Sequence, residues 1–335
     1  MNILEKLTIF VTRVFKTNLE IFLSALKLSP NAQGYVGGSV TELLLKQKLE
    51  NEYGFEVKRI KEKWEGKKHQ NHYGDFYIRK SDSENWFVIE SKGVKSNSEK
   101  WHKLYNLDNL KKFLINNEEK INFINHDLPI EEQVATWINK NLPRFYTDYK
   151  EPLYEFEEVH NYLDNLPKKE TQKSKAILNL RGLSREELHA MIQERLLYLS
   201  SKIRVLETHF VSGKSDSSDR TQATPRKNEF NIISIDIVLK HHEHKFLFAN
   251  PQLLESSEDD INHLKQNYIM GFSFVSDGGE PNLNLSEEWC EDFIEVYNSI
   301  DQKNHINSEE MQVDFRFDLI DQDTDNNFTD LVEIE

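Results

Sequence analysis

Apolar residues near the start of the chain (Ile3, Leu4, Leu7, Phe10, Val11, Val14, Phe15, Leu19, Phe22) recur at helical spacing. The pattern predicts one amphipathic helix with room for a kink. Residues 28–34 read as a turn, and Gly37-Gly38-Ser39 precedes a second periodic segment at 40–53, with Leu43, Leu44 and Leu49 on one face. Gly54 ends that segment in the usual C-terminal position. Residues 55–64 alternate through Phe55, Val57 and Ile60 and predict an edge strand, followed by the polar loop EGKKHQNHY at 65–73. Residues 74–97, GDFYIRKSDSENWFVIESKGVKSN, read as two strands joined by a short polar turn. In the second, Trp86, Phe87, Val88 and Ile89 run without a polar break, as in a strand buried on both faces.

Ser96 and Glu99 have capping-box spacing and introduce a helix bearing Trp101, Leu104, Tyr105, Leu110, Phe113 and Leu114. Pro129, Pro143, Pro152 and Pro167 divide residues 116–173 into short helical pieces. Ser184 with Glu187 caps another helix running to about residue 201. Strands are expected at 203–211, 230–239, 246–249 and 268–275, and a last helix at 287–300.

At 335 residues the chain has room for two domains. No apolar run reaches the length of a membrane helix, and the N-terminus lacks the basic start and cleavage site of a signal peptide. The single cysteine, Cys290, excludes an intrachain disulfide. A cytoplasmic protein is expected. The net charge of −15 argues against a nucleic-acid partner until its distribution is seen. Residues 1–126 hold 21 basic and 16 acidic side chains, whereas residues 286–335 hold 16 acids against Lys303 and Arg316 alone. The negative excess therefore belongs to the end of the chain, and the first third has a basic balance.

Asp75 opens the first strand of the hairpin, and Glu90 and Lys92 close the second. Strand residues two apart share a face, so Glu90 and Lys92 point together while Ser91 points away. If Asp75 pairs across from that end, two carboxylates and an amine converge. The acids suit a hard divalent cation such as Mg2+. The lysine can orient water or meet charge developing on a phosphate. Acid-x-Lys also occurs at Glu56/Lys58, Glu118/Lys120, Asp148/Lys150, Glu243/Lys245 and Asp301/Lys303, but none of these combines an apolar strand, an Asp-bearing strand immediately before it and helices on both sides.

The order helix, three strands, helix, with Asp75 on one strand and Glu90-Ser91-Lys92 on the next, resembles the PD-(D/E)xK nuclease superfamily over residues 34–115. Gly74 stands where the motif's name has proline. The resemblance implies an α/β fold: a restriction-endonuclease-like core, a mixed sheet flanked by helices, with an additional α/β region and an acidic C-terminal tail. It implies that Asp75, Glu90 and the Ser91 carbonyl bind Mg2+, that Lys92 positions or activates water, and that Glu42 can join them. Glu42 is equally spaced from Ser39 to form a helix cap. The expected domains are 1–125 for the nuclease core, 126–183 for a helical connector, 184–300 for recognition or dimerisation, and 301–335 for the tail. Residues 203–211 are the expected source of a fourth core strand. The implied substrate is double-stranded DNA, cut by a homodimeric type II restriction endonuclease. The alternatives are a repair or anti-phage nuclease and a non-catalytic DNA-binding protein.

Further DNA contacts are expected from Lys95, from Lys67 and Lys68, and from Lys214, Arg220, Arg226 and Lys227 in the Ser/Thr-rich stretch 212–228; that stretch also reads as a linker. His241, His242 and His244 have zinc-ligand chemistry but read as a solvated loop without cysteine. The tail alternates acids with Phe, Leu, Ile and Val. It reads as a DNA mimic over the basic site, as an edge strand or partner-docking segment, or as a solvating extension.

Overall fold

The computed structural model describes residues 2–61, 73–95, 203–208, 225–258, 260–265, 268–274 and 281–315, with isolated positions and residue pairs between them. The chain forms two compact units, Met1–Val94 with Thr208–Tyr268 and Glu288–Glu335, and Lys95–Glu207 with Ile269–Glu287. Among the described residues, 225–265 and 288–315 therefore belong with the N-terminal segment and not with residues 203–207, which the sequence grouped with them. The expected connector 126–183 and the helix from Ser96 fall almost wholly outside the described residues. No helix among the described residues is long and apolar enough to cross a membrane.

Instead of one N-terminal helix there are two, α1 (Ile3–Phe15) and α2 (Leu19–Leu28). Lys16 adopts a left-handed conformation (φ 54°), and the Asn18 side chain caps the second helix at the Ile21 amide. The next helix, α3 (Pro30–Asn51), starts earlier than expected. Ser29 caps it and proline occupies its first turn, where the missing N–H costs nothing. The helix passes through Gly34, Gly37 and Gly38, so the expected turn is absent and Ser39 is no cap. Glycine weakens a helix interior by about 1 kcal/mol against alanine but does not forbid it.

The strands in chain order are β1 (Phe55–Arg59), β2 (Phe76–Lys80), β3 (Phe87–Gly93), β4 (Ile203–Glu207), β5 (Gly213–Lys214), β6 (Thr221–Gln222), β7 (Ile232–Asp236), β8 (Phe246–Ala249), β9 (Ile269–Phe274), β10 (Asn282–Leu285) and β11 (Trp289–Cys290). Helix α4 (Phe293–Ser299) follows. The first unit has a six-stranded mixed sheet ordered β1-β2-β3-β7-β8-β11. All pairs are antiparallel except β3 with β7, which run parallel with Glu90 opposite Ile233 and Lys92 opposite Ile235. The fourth strand of the core is therefore β7. Residues 203–207 pair with β9 in the three-stranded sheet β10-β9-β4 of the second unit.

One sheet face packs against α3 and α4. Leu45 and Leu49 meet Phe55, Val57, Phe76, Ile78, Phe87, Ile89, Ile232 and Phe248, with Phe293, Val296 and Tyr297 on the same side. The Phe87 and Tyr297 rings meet edge to face at 5.6 Å, and those of Phe248 and Phe293 at 5.3 Å. Each fully buried aromatic or aliphatic side chain contributes about 1.5–3 kcal/mol, so this layer fixes which face β3 turns to the helices.

Part of the tail belongs to this unit. The Lys61 amide donates to Gln312 O at 2.9 Å, the Asp314 amide donates to Arg59 O at 2.8 Å, and Ile60 bridges Val313. Residues 312–314 thus pair beside the C-terminal end of β1; those beyond 315 lie outside the described residues.

Candidate functional site

Phe87 and Ile89 lie in the helix-covered layer, so strand alternation sends Glu90 and Lys92 to the opposite face. Phe76 pairs with Ile89, which places Asp75, one residue earlier, across from Glu90 on that same face. The Asp75 amide donates to Ile89 O at 3.0 Å, and the Ser91 amide donates to Asp75 Oδ2 at 2.7 Å. In a strand the N–H and C=O of one residue point to the same side. The Ser91 carbonyl therefore also faces the Asp75 side of β3, while its side chain turns to the other face. Gly74 is required by close approach: a Cβ there would overlap Val88 Cγ1 and come within 3.0 Å of Ile89 O. A proline at that position would displace β2 from β3.

Lys92 Nζ pairs with Glu90 Oε1. Glu90 is 9 % exposed, and its pKa is raised to about 7. Burial is the largest cause, the Asp75 charge adds to it, and Lys92 opposes both without cancelling them. Glu229 raises it further, which makes this 9 %-exposed acid a third charged neighbour of Glu90, one that no sequence motif marked. Burial works against the Lys92 ammonium, but Glu90, Asp75 and, more weakly, Glu42 hold its pKa above the ordinary lysine value.

The donor set fits a hard divalent cation. Ser91 occupies Asp75 Oδ2 and Lys92 occupies Glu90 Oε1, which leaves the second oxygen of each carboxylate for a ligand. A buried acid whose pKa is raised by its burial and by the charge of a neighbouring carboxylate is also the pattern a cation relieves. Glu42 sits in mid-helix on α3, so the cap with Ser39 does not form; its Oε2 pairs with Arg59 Nη1 at 2.6 Å. On the neighbouring position, the Thr41 hydroxyl donates to Asp236 Oδ2 at 2.8 Å, and His244 Nδ1 lies 2.6 Å from the same oxygen. Asp236, 1 % exposed at the end of β7, thereby ties α3 to the β7–β8 loop.

The expected DNA contacts are described only in part. Lys67, Lys68 and Arg220 lie outside the described residues, and Lys214 lies on the two-residue strand β5. Arg226 and Lys227 lie between β6 and β7 with their side chains bonded internally: Arg226 Nε donates to His263 Nε2 at 3.1 Å, and Lys227 Nζ donates to Leu254 O. Lys95 pairs with Glu207 at 3.4 Å within the second unit. His241 also departs from the solvated-loop expectation, being 6 % exposed with its ring stacked on His242 at 4.4 Å. Burial, then the charges of His242 and Lys245, push its pKa below the ordinary histidine value.

No family model, no curated protein and no solved structure matches the chain.

Proposed function

We propose that the chain is a metal-dependent DNA endonuclease, and within that class a sequence-specific type II restriction enzyme. The observation that supports this most is the cross-strand placement of Asp75 and Glu90 with Lys92 on one sheet face. Asp75, Glu90 and the Ser91 carbonyl would hold Mg2+, with Glu42 on α3 the further acid that the resemblance implies, its charge acting on Lys92. When bound, the ion supplies Lewis-acid polarisation of a phosphoryl oxygen and a more acidic water.

The protein's own contribution is charge placement. Lys92 stays protonated and can hold the attacking water or meet charge developing on the phosphate. Water oxygen attacks phosphorus, the bond to the 3′ oxygen breaks, and a 5′-phosphate results, as the superfamily resemblance implies. The proton released by the water passes to solvent, and the departing 3′ oxygen takes one up to leave as a hydroxyl. Cutting both strands of a two-fold symmetric duplex favours a homodimer acting in the cytoplasm.

The test is incubation of plasmid and phage DNA with the wild-type protein and Lys92→Ala, each with Mg2+ or EDTA. Discrete Mg2+-dependent bands, lost in Lys92→Ala, are expected. A smear would replace the restriction reading by a weakly specific repair or anti-phage nuclease. No cleavage by the wild type would overturn the enzyme reading.

A further inference from the structure

We propose that the loop between β7 and β8 is a second metal site, built for a divalent transition metal of the zinc class by His241, His242 and Glu243. One ligand atom from each of the three lies within 4.8 Å of the others. Two imidazoles and one carboxylate are the donor set that zinc accepts while keeping a fourth position for water or substrate. It differs from the all-oxygen set at Asp75 and Glu90, which suits Mg2+.

Burial separates this group from an ordinary polar loop. His241 is 6 % exposed, and its Nδ1 is buried without a hydrogen-bond partner. Buried polar atoms in folded proteins nearly always have a partner, so one that lacks it invites a ligand. His242 and Glu243 are exposed, and the two histidine rings lie side by side, 26° from parallel. His241 is therefore the fixed donor, and the other two side chains, at the surface, can close on the ion. Metal–ligand distances of about 2.0–2.2 Å require that convergence. Ends of the loop are already tied down: His244 is held by Asp236 at 2.6 Å, and Lys245 by Glu291 at 2.7 Å. That last pair also keeps the lysine ammonium occupied.

The proposal stands apart from the nuclease reading, and its test keeps the two separate. Untagged full-length protein carrying Asp75→Asn and Glu90→Gln is titrated with Zn2+ by calorimetry, and with Co2+ to read the d–d absorption of imidazole coordination. One equivalent is expected to bind. Adding His242→Ala and Glu243→Ala, both exposed positions, is expected to weaken binding at least about a hundredfold, with the far-ultraviolet circular dichroism unchanged. Absence of zinc binding in the first variant, or equal binding in both, would overturn the site whatever the outcome of the DNA cleavage assay.

Discussion

The Ser91 main-chain N–H donates to Asp75 Oδ2 at 2.7 Å, so the acid of one strand is bound to the backbone of the next, between Glu90 and Lys92. Asp75 has a structural duty separable from its charge. An asparagine side chain there keeps an oxygen acceptor for that amide, whereas alanine leaves it without one. Asp75→Asn should keep wild-type stability and lose DNA cleavage by at least about a hundredfold. Asp75→Ala should also lose about 1–3 kcal/mol in urea unfolding. Equal stabilities for the two variants would show that the hydrogen bond contributes nothing.

Glu90 titrates near pH 7 in the folded chain against 4.5 as its ordinary value. The folded state then binds more protons than the unfolded state between those values, so stability falls as pH rises through the window. Glu90→Gln has no such group. In EDTA, the wild type should lose roughly 3 kcal/mol relative to Glu90→Gln between pH 4.5 and 7.5. Parallel stability profiles for the two proteins would contradict the buried, raised acid.

Carboxylates bind a cation in their ionised form, and protons compete for Glu90 below its raised pKa. Mg2+ should therefore raise the melting temperature more at pH 8 than at pH 6, and this difference should vanish in Glu90→Gln. Calorimetric scans with and without Mg2+ decide it.

Lys92 is the counter-charge of a nearly buried acid, yet its own side chain is 38 % exposed. Water screens part of the pair, so Lys92→Ala should cost about 1–2 kcal/mol, less than breaking a fully buried pair. The Glu90 pKa should rise further in that variant, as followed by carboxyl NMR titration. A Glu90 titration unchanged from wild type would place the ammonium elsewhere.

Residues 312–314 supply backbone partners beside the C-terminal end of β1, and Tyr77 Oη accepts from the Gln312 amide at 3.2 Å. Ending the chain at residue 311 exposes that end of the edge, which should lower the melting temperature and promote concentration-dependent aggregation. Light scattering and thermal unfolding of the shortened chain provide the check; an unchanged monomeric profile would mean the edge needs no cover.

Local pattern carries far in this chain. The alternation and apolar density of residues 86–93 place Glu90 and Lys92 on one face, and the adjacent hairpin places Asp75 beside them, all within about twenty residues of chain. The reciprocal hydrogen bonds of Ser184 and Glu187 are legible for the same reason, since a capping box is local. Helix α3 escapes the pattern because three glycines and a proline look like breakers, while its apolar half is held by tertiary packing that no local propensity reports.

Sequence alone determined the motif, its shared face and the basic balance around it, because these follow from a period of two and from counting charges. Tertiary structure decided that β7, far along the chain, is the parallel neighbour of β3. It also brought Glu229 into the field of Glu90 and gave His241 a buried place. Such pairings depend on which surfaces bury each other, and burial sets both the Glu90 pKa and the isolation of the His241 ring nitrogen. Neither property is encoded by spacing along the chain.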